Sequence, residues 1–209
     1  MQRIEEEIKK ALDEEDALRE EAYRLHREAI RAARDAIKRV SNGGELGEEV
    51  HHFRDCLLKI LEENPVMHRY TFIEDALTEI AEALIFSAVM RGDDLPTPGE
   101  ISIHPRLYLL GLADAVGEMR RVVISKLIEG EIEGAGEMLK RMEEAAGLVD
   151  AFVYPSSLIA LKRKQDVVRS LLDRTKGEYL IAVCSAGCGG RFVSSEQAEA
   201  HDEGGESFE

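Results

Sequence analysis

The first forty residues, Met1–Val40 (MQRIEEEIKKALDEEDALREEAYRLHREAIRAARDAIKRV), contain neither glycine nor proline. Ile4, Ile8, Ala11, Leu18, Ala22, Leu25, Ala29, Ala32 and Ala36 recur as a heptad-type seam broken once, at Glu15. Such a run predicts one helix of about 60 Å at 1.5 Å per residue. No small domain covers a seam of that length with its loops. The helix must lie along another long helix, from the same chain or from a second copy, and this sets the fold class.

The remaining sequence repeats the theme. Ser41-Asn42-Gly43-Gly44 stops the first helix. Helical periodicity then predicts helices over about 46–63, 66–91, 106–129, 131–153 and 156–176. A connector with prolines at 96, 98 and 105 separates the third from the fourth. The expectation is an all-α bundle of six to seven helices, with a long N-terminal helix, over residues 1–177. Residues 178–209 read as a C-terminal appendage, because Gly177 is a helix stop and Tyr179-Leu180-Ile181-Ala182-Val183 has the composition of a short strand.

Acidic residues outnumber Lys and Arg by 42 to 27 in 209 residues, a net charge of −15, so the whole surface is not a nucleic-acid coat. No apolar run reaches the roughly 18 residues of a membrane span, and MQRIEEEIKK has no signal-peptide core. Three cysteines make no disulfide framework, so the expected compartment is the cytoplasm. Charge is nevertheless polarised within the first helix. Residues 19–40 carry Arg19, Arg24, Arg27, Arg31, Arg34, Lys38 and Arg39 against four acids, either as a solvated face or as a nucleic-acid face.

Two predicted helices carry acids inside apolar stretches. Glu79 and Glu82 lie one turn apart in a run that continues Ala83-Leu84-Ile85-Phe86, and Asp114 and Glu118 lie one turn apart after Leu107–Ala113. A carboxylate in such surroundings needs a partner. Arg69, Arg120 or Arg121 could neutralise them as core ion pairs. Alternatively, four carboxylates on facing helices could hold Mg²⁺ or Mn²⁺, since hard divalent ions take all-oxygen ligands and activate water for phosphoryl chemistry. A ferritin-like di-iron centre lacks its Glu-x-x-His here. An all-α nucleotide pyrophosphohydrolase also pairs Glu-x-x-Glu with acids on another helix, but the second pair here is Asp-x-x-x-Glu.

Leu109-Leu110-Gly111-Leu112-Ala113-Asp114-Ala115-Val116-Gly117-Glu118-Met119-Arg120 resembles the signature helix of the translin and translin-associated factor X family. Ser125–Glu133 resembles that family's helix break, and Leu161–Gly177 its last helix. Glu79-Ile80-Ala81-Glu82-Ala83 is similar to the Glu-x-x-Glu-Ala of the factor X branch. The resemblance covers about residues 10–177. It implies a closed octameric all-α barrel that binds single-stranded RNA and DNA, with a Mg²⁺-dependent endoribonuclease in the factor X subunit. By position, Glu79, Glu82 and Asp114 match its catalytic metal-binding acids and Glu118 a fourth acid nearby. A single chain bearing these acids points to a homo-oligomer. A nucleic-acid-binding assembly without catalysis is the main rival.

Single-strand binding needs a basic groove with stacking groups. The candidates are Lys162, Arg163, Lys164 and Arg169 on the last predicted helix, and His68-Arg69-Tyr70 near the acids. In the appendage, Cys184, Cys188, Phe192 and His201 follow the spacing of a Cys-Cys-His-His zinc finger without its final histidine; Glu203 or Glu206 could supply an oxygen ligand to Zn²⁺. The alternative is a vestigial tail. Cys56 reads as core.

Overall fold

The computed structural model describes residues 1–196, with side chains through residue 186. Among the described residues there are six α-helices, a short 3₁₀ turn and no strand. The helices are α1 Gln2–Ser41, α2 Glu48–Glu63, α3 Thr71–Arg91, α4 Pro105–Glu129, α5 Ile132–Asp150 and α6 Lys162–Glu196; the 3₁₀ turn is Pro65–Arg69. None of these helices is long and apolar enough to cross a membrane.

α3 is the centre of the bundle. From Ile80 to Val89 every residue is buried, whichever way it faces. A helix apolar all round belongs in a core, and α3 has α1 on one side and α4 on the other, with α2 alongside. α4 in turn packs against α5 and α6. Side-chain contacts fix the directions. Tyr70 meets Glu15 and Glu79 meets Arg34, so α1 and α3 run parallel. Glu74 meets Arg106 while Gly111 lies against Thr78 and Glu82, so α3 and α4 run parallel too. Asp114–Lys164 and Arg120–Glu178 make α6 parallel to α4. The connector Gly92–His104 therefore runs back along the bundle, anchored by buried Ile101 and Ile103. Its start is held by Arg141, which donates to the Asp93 carbonyl.

Gly111 lets the two acid-bearing helices meet. A Cβ at this position would lie 2.8 Å from the Ala81 Cβ, 2.8 Å from the Thr78 carbonyl oxygen and 2.9 Å from the Glu82 backbone nitrogen. None of these atoms is the free end of a flexible chain, so only glycine permits the approach.

Three boundaries differ from expectation. The 65–69 stretch is a 3₁₀ turn rather than the start of α3, consistent with Pro65 opening it. The sixth helix begins at Lys162, not near Ser156. Most telling, Gly177 does not stop α6, and Tyr179–Val183 is helical rather than a strand. Contacts on both sides of the glycine outweigh its cost of about 1 kcal/mol. Arg120 bonds Thr175 and Glu178, and Tyr179 packs against Gly136 of α5. Buried Gln165 donates to the Val149 and Phe152 carbonyls, capping the end of α5 on the same helix.

The α1 seam is covered in part. Ala22, Ala29, Ala33, Ala36, Ile37 and Val40 are buried against the bundle. Ile4, Ile8 and Leu12 are 63, 55 and 60% exposed, because α1 runs past the end of α3.

Candidate functional site

The four acids line one open cavity of about 1300 Å³ between α1, α3, α4 and α6, together with Arg34 and Arg121. The chain brings them there by register. Glu79 and Glu82 are one turn apart on α3; Asp114 and Glu118 are one turn apart on α4; and Gly111, three residues before Asp114, closes the gap between the helices.

Three of the acids have cationic partners. Arg34 clasps Glu79 with both guanidinium nitrogens, Nε to Oε2 at 3.1 Å and Nη2 to Oε1 at 2.9 Å. Lys164 donates to both oxygens of Asp114. Arg121 donates to both oxygens of Glu118, at 2.8 and 3.0 Å. Of the three arginines expected to neutralise the acids, only Arg121 does so. Arg69 pairs with Glu15, and Arg120 with Glu178.

Glu82 is different. It is 9% exposed and makes no hydrogen bond or ion pair among the described residues. Burial first, then the negative fields of Asp114, Glu79 and Glu118, push its carboxyl up to about 8, opposed only by Lys164. At neutral pH Glu82 mostly keeps its proton. Its neighbours are coupled through it, so one cation entering the cavity would relieve several repulsions at once.

The donor set suits a hard cation: all oxygen, from four carboxylates, one of them without a counter-charge. The convergence is incomplete, however. Among the described residues no three acid, histidine or cysteine side chains are arranged to hold an ion. Three of the four carboxylates are instead paired with guanidinium or ammonium groups. The Arg34 and Arg121 side chains are 61 and 77% exposed, and pairs of this kind are worth only about 0–1 kcal/mol each. Breaking the two arginine pairs therefore costs little.

The other predicted residues fall elsewhere. His68 is exposed on the 3₁₀ turn that precedes α3, about three helical turns before Glu82. Lys162 pairs with Asp166, and Arg169 with Asp150 and Asp166, which leaves little net positive charge on that face. Arg163 is exposed. Of the basic residues singled out on α6, Lys164 is the one in contact with a cavity acid. Cys184 is exposed on α6, while the Cys188 side chain and His201 lie outside the described residues. Cys56 is half-buried, with its sulfur 3.6 Å from His52 Nε2, rather than core. The role of Arg34 had no local signal in the sequence, since its partner is 45 positions away.

No family profile matches the chain. An uncharacterised protein of Methanocaldococcus jannaschii is 27% identical over 177 residues, spanning 81% of this chain and 78% of its own length. Among solved structures, AfC3PO is 31% identical with a TM-score of 0.70, covering 86% of this chain and 97% of its own. The chain belongs to the translin and translin-associated factor X (C3PO) family. A second C3PO structure, AfC3PO in complex with duplex RNA, is 30% identical with a TM-score of 0.70. Apo-NeC3PO, at 19% identity and a TM-score of 0.75, shares the C3PO fold.

Proposed function

We propose that this chain is an RNA-binding, Mg²⁺- or Mn²⁺-dependent endoribonuclease that works as a homo-oligomer. The observation that carries the proposal is Glu82: a buried carboxylate without a counter-charge, in a cavity it shares with Glu79, Asp114 and Glu118. RNA as the ligand is supported by the solved complex of a 30%-identical relative with duplex RNA. Self-association is supported by the uncovered Ile4-Ile8-Leu12 stripe on α1.

Glu79, Glu82, Asp114 and Glu118 would hold the ion, which when bound would lower the pKa of a water and neutralise charge on the phosphate. The chain's own part is positioning. Arg34 and Arg121, once released from their acids, face the cavity as planar donors suited to phosphate oxygens. Lys164, which bonds both Asp114 oxygens, would be released in the same way, as a point charge beside the ion. Glu82, protonated at neutral pH, loses its proton when a cation enters.

A labelled single-stranded RNA incubated with the purified protein tests the proposal. Cleavage should need Mg²⁺ or Mn²⁺, stop with EDTA, and fall about 10²-fold or more in Asp114→Asn. A second reading, binding without catalysis, is favoured by the three carboxylates that already have partners. Tight RNA binding with no cleavage under any divalent ion would establish it in place of the first.

A further inference from the structure

The contact between α1 and α3 carries a feature that the cavity acids do not use. Tyr23 of α1 is 44% exposed. It stacks on His26 with centroids 5.5 Å apart and meets Phe72 of α3 edge-on at 5.3 Å. The Arg27 guanidinium lies over the Tyr23 ring, 5.6 Å from its centroid. Aromatic clusters of this kind are normally buried in a core, whereas this one presents a ring to solvent with a planar cation over it. Guanidinium planes and nucleobases seek the same aromatic faces.

The helical register ties the cluster to the cavity. Tyr23 and Arg34 are eleven residues apart, which at about 100° per residue places them within roughly 20° of each other on α1. Arg27, Arg31 and Lys38 flank the same line, all exposed and without a carboxylate partner among the described residues. The acids Glu28 and Asp35 lie round the helix from it. On α3, Phe72 and Glu79 are seven apart and so share a face. An aromatic step thus leads along a cationic ramp to the carboxylate cavity.

We propose that Tyr23, backed by Phe72 and His26, is a stacking platform for one unpaired nucleobase of an RNA strand whose phosphates follow Arg27, Arg31 and Lys38 towards the cavity. The inference rests on the RNA reading above and adds a specific subsite, a preference for an unpaired base, and a register. Eleven residues of α1 span about 16 Å. That is roughly five nucleotides at the ~3.4 Å per nucleotide of a stacked strand.

The test is binding in EDTA, where cleavage does not interfere, with a 20-nucleotide single strand carrying 2-aminopurine and with the fully paired duplex of the same sequence. Tyr23→Leu keeps an apolar cover over Phe72 and removes the π face; Tyr23→Phe keeps both. The single strand should bind about 5- to 150-fold more weakly to Tyr23→Leu, the range expected for one lost base–aromatic stack. Quenching of 2-aminopurine should be lost with it, and Tyr23→Phe should restore both. The duplex should be indifferent to all three proteins. Equal single-strand binding by Tyr23→Leu and wild type, or an equal loss for the duplex, overturns the platform while leaving RNA binding intact. No RNA binding by the wild type overturns the functional reading, and the platform falls with it.

Discussion

Glu82→Gln is expected to raise thermal stability at pH 8–9 and to abolish divalent-ion binding at the same time. The sign follows from linkage. The Glu82 carboxyl is raised from about 4.5 to about 8 in the folded chain, so the folded state binds the proton more tightly than the unfolded state. Stability is then fully present below the unfolded value and declines as pH climbs towards about 8, levelling off above it. A shift of this size has a ceiling of about 5 kcal/mol. The open cavity admits water and screens part of it, leaving roughly 2–3 kcal/mol. For a chain of this length that is about 5–10 °C in melting temperature. The neutral amide does not titrate, so the melting curves of wild type and Glu82→Gln should coincide near pH 5 and separate by pH 8. Mg²⁺ should raise the wild-type value at pH 8 and leave the variant unmoved. Curves that stay parallel from pH 5 to pH 9 would show that Glu82 does not carry this burden.

Gly111→Ala is the other large effect, and it acts on the helices rather than on the acids. Its methyl would press on the Thr78 carbonyl, the Ala81 Cβ and the Glu82 nitrogen at 2.8–2.9 Å. These positions belong to the α3 backbone or to its shortest side chain, so α3 and α4 must move apart. Overpacking of this kind costs about 1–3 kcal/mol, set against the ~1 kcal/mol that alanine gains over glycine in a helix. We expect a net loss of about 1 kcal/mol in urea denaturation, with Mn²⁺ affinity reduced because Glu82 and Asp114 no longer face one another at the same separation. Gly147→Ala on α5 is the control. Nothing lies within 4 Å of a Cβ there, so it should gain about 0.5–1 kcal/mol. A Gly111→Ala protein as stable as Gly147→Ala would mean that the close approach of α3 and α4 is not required.

The architecture was legible because long-range packing here obeys local pattern. The uninterrupted α1 seam and the apolar runs around Glu82 and Asp114 each force a helix, and burying such helices leaves only a bundle. The pairing of Glu79 and Glu82 with Asp114 and Glu118 was legible as spacing, but their sharing of one cavity depends on Gly111, whose packing role is invisible until Ala81 is seen opposite it. Counter-ions were the least legible feature. Arg34 and Lys164 reach their acids across 45 and 50 positions of sequence, and nothing local distinguishes them from Arg69 or Arg120. The misreading of Tyr179–Val183 has a similar cause. Its composition favours a strand and Gly177 favours a stop, yet Arg120 and Gly136 supply partners on other helices that keep α6 going. Tyr23 carries no signal of its own, because one tyrosine in a charged helix has no pattern; Phe72, on another helix, gives it meaning.

In the proposed function the two acid pairs act together on one divalent ion. The most direct measurement is Mn²⁺ binding by electron paramagnetic resonance at pH 7 and pH 8.5, on wild type, Glu82→Gln and Asp114→Asn. The wild type should bind Mn²⁺ saturably, with binding that Mg²⁺ competes away, that tightens as pH rises through about 8, and that each variant loses. Mn²⁺ binding of the same strength in either variant, or none in the wild type at pH 8.5, would contradict it.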